Sequence, residues 1–334
     1  MTATTSTSDP SVASVHLARV VAGGWQPLVL LLLIVFGTPL FGRSDVYPLL
    51  ILAGIYGIAV VGVSVLAGLG GQLTLGHAVF MAMGAYASAL CTVRWGLPAI
   101  VGVAAGVGCA LLLALVTSPI LRLRGWYLAM ATIALAYILQ RVLVNLHSLT
   151  GGNNGLYGIP AFSIAGWTVQ GDQQYFILAW TLTLVCFVLG RNIARSRYGR
   201  SLSAIHKDAN AAATLGINPV RAKAVLWLIA SVPAAVAGSV FAHYSAFIAP
   251  GDFTFATSLV LFAAVIIGGA RSIFAGLVAV TFLVTMPAYS SGHLTGELME
   301  ATAMIVVYLT SPDGVAGIVD AGRRRLAARS GRDA

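Results

Sequence analysis

Arg191-Asn-Ile-Ala-Arg-Ser-Arg-Tyr-Gly-Arg-Ser-Leu-Ser-Ala-Ile-His-Lys-Asp-Ala-Asn-Ala-Ala-Ala-Thr-Leu-Gly-Ile-Asn-Pro-Val-Arg-Ala-Lys223 is the longest polar interval between the apolar runs of this chain. Seven cations fall in it: Arg191, Arg195, Arg197, Arg200, Lys207, Arg221 and Lys223. Between long apolar segments, such a basic interval belongs on the cytoplasmic side of a membrane. It also carries its own starts and stops. Ser201 to His206 can form a short helix. Asp208 is an N-cap for a second, Ala209 to Leu215, rich in the best helix former. Gly216 sits where a C′ glycine belongs, and Asn218-Pro219 reads as the N-cap and first turn of the next helix. The plain reading is a solvated basic loop; two capped helices in series point to a docking surface.

Outside this interval the chain is apolar. Of its 334 residues 58% are hydrophobic and 9% charged, against about 25% charged in soluble domains. The segments have helical lengths, which excludes a barrel of ten-residue alternating strands. The expected fold is an all-α polytopic membrane protein of about ten spans: 27–41, 48–69, 72–92, 97–120, 126–147, 173–190, 222–248, 256–270, 273–290 and 298–311. The first run is followed by Gly42-Arg43-Ser44-Asp45, which is no signal-peptide cleavage site, so it reads as an uncleaved span. Residues 1–24 form a tail, 25–318 the transmembrane domain and 319–334 a second, basic tail.

Placing 191–223 inside puts Arg122, Arg124, Arg271 and the arginines from 323 to 332 inside as well. Thr150 to Gln174, without Lys or Arg, falls outside, and both termini fall in the cytoplasm. The net charge of +9 thus orients the chain in a bilayer and does not point to nucleic acid. Cys91, Cys109 and Cys186 lie in or at the ends of apolar segments without metal-ligand spacing and read as packing residues.

One pattern recurs. Gly70-Gly71-Gln72-Leu73-Thr74-Leu75-Gly76 precedes the third span, and Gly268-Gly269-Ala270-Arg271-Ser272-Ile273-Phe274-Ala275-Gly276 the ninth. Glycine breaks in corresponding halves suggest discontinuous helices beside a translocation path.

Several motifs resemble the ABC importer permeases of the branched-chain amino-acid (LivH/LivM) family. Gly71-Gln72-Leu73-Thr74-Leu75-Gly76-His77 looks like its Gly-Gln-Leu-Ser-Leu-Gly-His segment. Leu121-Arg122-Leu123-Arg124-Gly125-Trp126-Tyr127-Leu128-Ala129 is similar to a segment typical of the LivM branch. Leu149-Thr150-Gly151-Gly152-Asn153-Asn154-Gly155 resembles an external motif, and Ser311-Pro312-Asp313-Gly314 the closing Pro-x-Gly. Asn210-Ala211-Ala212-Ala213-Thr214-Leu215-Gly216 has the spacing of the Glu-Ala-Ala-x-x-x-Gly coupling loop, with Asn210 in place of Glu.

The resemblance implies a type II-like permease fold. Partners would be two ATPase subunits that bind ATP and Mg, a homologous permease and an extracytoplasmic solute-binding protein, with no cofactor on this chain. Gly199, Arg200, Ala204, Ile205, Asp208, Ala211, Ala212 and Gly216 would meet the ATPase. Gln72, Thr74, Gly76 and His77 would border the path, with Tyr137 and Gln140 standing where relatives are expected to carry an acid and an arginine. Asn153 and Asn154, between glycines, form a turn-prone tip with two readings: contact with the binding protein, or only a turn of the chain. The solute would be a branched-chain or other neutral amino acid, with urea, short amides and small carboxylates as alternatives.

His77 has two readings: a path-lining or gating imidazole, or a histidine satisfied by a backbone carbonyl between packed helices. Arg141, six residues from the outer end of its span, reads as snorkelling. Enzyme classes fit poorly. There is no His-Glu-x-x-His, and neither Lys207 nor Lys223 stands in a P-loop. A self-sufficient ion-coupled transporter or channel expects carboxylates within the spans, and here the acids lie almost entirely in loops.

Overall fold

The structure, a computed structural model, describes residues 46–286 apart from Leu73, Arg124, Ala165, Gly166 and Arg271. The expected first and last spans, both tails and the closing Pro-x-Gly lie outside the described residues.

The described chain is almost entirely helical. The apolar helices are α1 (Tyr47–Gly70), α2 (Ala78–Trp95), α3 (Ala99–Thr117, continued by a 3₁₀ turn to Arg122), α4 (Trp126–Asn145) and α5 (Asp172–Arg195). After the loop helices α6 (Arg197–Lys207) and α7 (Ala209–Thr214) come α8 (Pro219–Ser245), α9 (Phe255–Gly268) and α10 (Ile273–Thr285). Seven of these segments are long and apolar enough to cross a membrane, the ninth helix being counted with the 3₁₀ turn from Pro250; α10 is shorter. All eight spans expected between residues 48 and 290 therefore have a helix.

Two expectations are corrected. The third span begins at Ala78, not residue 72, because Gly71 to His77 leaves the helix. Hydropathy cannot mark that break, since Leu73 and Leu75 are as apolar as the helices around them. The first loop helix starts at Arg197, not Ser201, because the Ser196 hydroxyl accepts from the Gly199 N–H at 3.2 Å and caps it early.

Helix α1 is the axle. It is the most deeply buried span and packs against α5, α8, α10 and α9. Its polar neighbours are tied to its backbone: the Thr183 hydroxyl donates to the Gly54 carbonyl at 2.9 Å, and the Trp180 indole N–H to the Leu50 carbonyl at 3.0 Å. Helix α8 contacts α2, α1 and α3 and joins the two halves. Its contact with α2 is a close backbone approach. A Cβ on Gly84 would lie 2.0 Å from the Ala235 carbonyl oxygen, and one on Gly238 would lie 1.9 Å from that of Met81. Without a hydrophobic drive between helices in lipid, such small-residue contact is what holds spans together.

At the end away from the basic loop, two short antiparallel pairs close the structure. β1 (Leu156–Tyr157) pairs with β4 (Phe247–Ile248), and β2 (Ser163–Ile164) with β3 (Trp167–Thr168).

Gly238→Val forces a branched side chain into the Met81 carbonyl, and overpacking of this kind costs about 1–3 kcal/mol. Gly108 on α3 has open space around its Cβ position. Thermal unfolding in mild detergent should show a lowered midpoint for Gly238→Val and an unchanged one for Gly108→Val. Equal midpoints would contradict the close α2–α8 contact.

Candidate functional site

The break between α1 and α2 is built from backbone groups that have left the helix and found partners elsewhere. Gly71 ends α1 with a left-handed backbone, φ 59°, and its N–H returns to the Ala67 carbonyl at 3.1 Å. The Leu75 N–H donates to the Thr132 hydroxyl of α4 at 3.1 Å, and that hydroxyl donates onward to the Ala129 carbonyl at 2.9 Å. The Ala78 N–H donates to the Ser258 hydroxyl of α9 at 3.0 Å. Gly76 rests on α4 so closely that a Cβ there would lie 2.2 Å from the Thr132 carbonyl oxygen. Three helices, α1, α4 and α9, thus converge on the stretch from Gly71 to Ala78.

His77 is 1% exposed and held on two sides. Its Nε2–H donates to the Ala230 carbonyl of α8 at 3.0 Å. Because a carbonyl only accepts, the proton sits on Nε2 and Nδ1 carries the lone pair. The ring meets Phe80 and Trp227 edge to face, at 5.4 and 6.0 Å between centroids, and Trp227 donates its indole N–H to Thr117 at 3.1 Å. Of the two readings of His77, its Nε2 follows the packed one.

Other polar atoms of the break have no such partner. Both amide atoms of Gln72, the Thr74 hydroxyl and the His77 Nδ1 are buried without a hydrogen bond among the described residues. Gln72 and Thr74 are 3% and 1% exposed. Each buried polar group left unpaired costs about 1–3 kcal/mol. Three such side chains within six residues are tolerable where water or a polar solute visits the segment.

The basic loop lies against this break. Helix α6 turns Gly199, Leu202 and Ile205 inward, three residues apart on one face, and Arg197, Arg200 and Lys207 outward. The Tyr198 hydroxyl donates to the Ala222 carbonyl at the start of α8. Burial pushes the Tyr198 phenol up to about 12, so it remains a neutral donor at physiological pH.

Asp208 turns the chain. Its carboxylate accepts from the Asn210 and Ala211 N–H groups at 2.9 and 3.1 Å, capping α7. Gly216, φ 82°, then closes α7 in a Schellman motif: its N–H donates to Ala213 at 3.0 Å and that of Ile217 to Ala212 at 3.1 Å. Asn218 caps α8 through Val220 and Arg221, both at 3.1 Å. Between loop and break lies a cavity of about 370 Å³, walled by Gly70, Gly71 and Gln72 on one side and by Ile205 to Asn210 on the other.

Not every expected residue joins this site. Gly199, Ile205 and Ala212 are buried and shape the loop from within, while Arg200, Asp208, Ala211 and Gly216 are exposed and Ala204 is half-buried. Sequence reading passed over Leu215, which stands 79% exposed beside Gly216. Gln140 is half-buried two turns along α4 from Thr132, and Tyr137 turns away from the break. Tyr137 stacks on Phe255 at 6.4 Å and, with Arg141 and Asn145, lines a shallow groove on the outer face of α4.

Asn153 and Asn154 are exposed at the opposite end of the molecule, on a turn held by the Thr150 hydroxyl, which donates to the Leu143 carbonyl at 2.6 Å. Nearby, the His243 Nδ1–H donates to the Pro160 carbonyl at 2.8 Å and its Nε2 accepts from the Ser88 hydroxyl at 2.9 Å. Tyr175 donates to the His243 carbonyl at 2.9 Å and accepts from the Phe162 N–H at 3.0 Å. This network fastens the segment after Gly155 to α2, α5 and α8; its partners lie too far apart in sequence for any local signal.

Residues 46–310 match the protein family described as branched-chain amino acid transport system, permease component. The chain is 32% identical over 321 residues to the high-affinity branched-chain amino acid transport system permease protein LivM of Escherichia coli, covering 86% of this chain and 74% of that protein. LivM of Salmonella typhimurium is 31% identical over the same shares. LivH of Escherichia coli is 29% identical over 186 residues, 52% of this chain and 60% of that protein. No solved structure matches the chain.

If water reaches the break, Gln72→Cys or Thr74→Cys in a background without Cys91, Cys109 and Cys186 reacts with a small aqueous thiol reagent in membranes. Ala59→Cys, on a fully buried position of α1, should stay inert. Silence at both 72 and 74 in every state of the protein would make the segment a packing element alone.

Proposed function

Because the chain belongs to the branched-chain amino acid transport permease family, we propose that it is the membrane-spanning subunit of an ABC importer, carrying a branched-chain or other neutral amino acid across the bacterial inner membrane. The observation that carries this reading is the break Gly71 to His77, where unpartnered polar atoms inside a helical bundle sit next to an ordered basic loop. A broken helix provides polar groups at membrane depth, and the loop provides a handle outside it.

Work on the solute comes from elsewhere. Two ATPase subunits bind ATP and Mg, and the α6–α7 loop docks on one of them. Its outward surface offers Arg200, Ala211 and the exposed Leu215, an apolar knob on a polar tip. That places the loop and both termini in the cytoplasm, in keeping with the charge asymmetry. Asn153 and Asn154 then face the solute-binding protein.

A second, homologous permease covers α4. Trp126, Tyr127, Met130 and Ile138 are exposed on this helix, and Arg141 is exposed among them. Arg141 lies in the last turns of α4, which ends at Asn145, so it can reach the interface by snorkelling; a partner permease, with the solute route between the two, would cover the exposed Trp126, Tyr127, Met130, Tyr137 and Ile138 beside it.

The test is co-expression of this chain with candidate ATPase, permease and binding-protein subunits, purification in mild detergent, and leucine uptake after reconstitution. ATPase chains should co-purify in stoichiometric amounts and uptake should require ATP. Gly216→Val, which puts a β-branched residue at a left-handed position, should lower uptake about tenfold, within the roughly 5–150-fold range of coupling between sites, with membrane insertion unchanged. Uptake by the purified chain alone, driven by an ion gradient, would overturn the reading.

A further inference from the structure

The loop and the break meet in a contact that neither motif announces. At the end of α6 the His206 ring lies on Gly71. A Cβ at Gly71 would be 2.0 Å from His206 Nδ1 and 2.2 Å from Cε1, so the imidazole occupies the space a side chain would take. Gly71 is the left-handed cap of α1, the residue at which that span leaves its helix. Beside this contact the loop and the break form walls of one cavity, and α6 packs against α1.

The mechanical arrangement follows from what fastens α6. It continues from α5 through the Ser196 cap, buries Leu202 and Ile205, and is bound to the start of α8 by Tyr198. Beyond His206 the chain turns at Asp208, whose extended backbone (φ −151°, ψ 107°) separates α6 from the exposed α7. A push on α7 therefore reaches α6 as a lever, and the far end of that lever rests on the cap of α1. One residue past the cap lies Gln72, whose buried amide has no partner.

We propose that His206 is a positioning residue that transmits displacement of the α6–α7 loop to the cap of α1, and so opens or closes the break. This rests on the importer reading above and adds to it the contact through which the partner's motion enters the membrane domain. The imidazole acts here by shape: a planar ring that fits on a glycine peptide.

The test uses the complete reconstituted transporter and compares amino acid moved per ATP hydrolysed. His206→Ala should assemble normally and lower this ratio at least about fivefold, the lower range of measured coupling between sites. His206→Phe, which keeps a ring on Gly71, should retain most of it. Gly71→Ala should also lower the ratio, and adding His206→Ala should cause no further loss, because both changes remove the same contact. Full coupling in His206→Ala, or losses that multiply in the double variant, would overturn the proposal.

A separate arm addresses the contact without any partner. In a chain otherwise free of cysteine, Gly71→Cys with His206→Cys should form a disulfide on mild oxidation, and failure to do so would also count against the proposal. A wild-type preparation that transports without ATP would instead refute the importer reading, leaving the disulfide result to judge the contact on its own.

Discussion

A peptide group that leaves a helix inside a bilayer must find a hydrogen-bond partner in the protein or in water, and this constraint shapes the molecule around Gly71 to His77. The partners come from three different spans: the Thr132 hydroxyl for Leu75, the Ser258 hydroxyl for Ala78, and the Ala230 carbonyl for the His77 ring. Each tie fixes where α4, α9 and α8 stand relative to the end of α1. The close glycine contacts between α2 and α8 keep the carbonyls of α8 within reach. Pro233 lies one turn from Ala230 and removes a backbone donor from α8, so the helix that grips His77 has a built-in point of bending.

The remaining polar atoms of the break connect this architecture to transport. A segment designed only for packing would present apolar side chains where Gln72 and Thr74 stand. Under the importer reading proposed above, their presence, with Nδ1 of His77 left over after Nε2 is satisfied, would give a passing solute or water both donors and acceptors. The basic loop lies across a cavity from them, where, under the same reading, it would control them. Its caps at Ser196, Asp208 and Asn218 and the Schellman closure at Gly216 make it a stiff object, and a stiff object can relay a push that a disordered linker would absorb.

How much of this could be read in the sequence follows the range of the interactions. The spans were legible because twenty apolar residues in a row have few other uses. The loop was legible because its caps are local: Asp208 meets residues two and three positions on, and Gly216 needs only a positive φ. The break showed as a glycine pattern, but its extent did not, since Leu73 and Leu75 read as helix. What could not be read is long-range. Ala230 lies 153 residues from His77, and Ser258 lies 180 from Ala78. The seat of His206 on Gly71 had a trace in the sequence, a glycine at a helix end, but no local rule names the side chain that fills its empty space. Tyr137 and Gln140 were grouped with the path by family likeness; Tyr137 lies on the outer groove of α4, a face on which a neighbouring subunit would have to bring it in.

The central claim is that the break changes state when the loop is pushed, and backbone exchange measures it directly. In the reconstituted transporter, hydrogen–deuterium exchange of a peptide spanning residues 72–80 should be slow before nucleotide is added, as long as Leu75 and Ala78 stay bonded to Thr132 and Ser258. It should become faster when an ATP analogue and the loaded binding protein are added, while a peptide from the buried middle of α1 stays protected. Identical exchange of residues 72–80 in all states of a transporter that is moving solute would contradict the account.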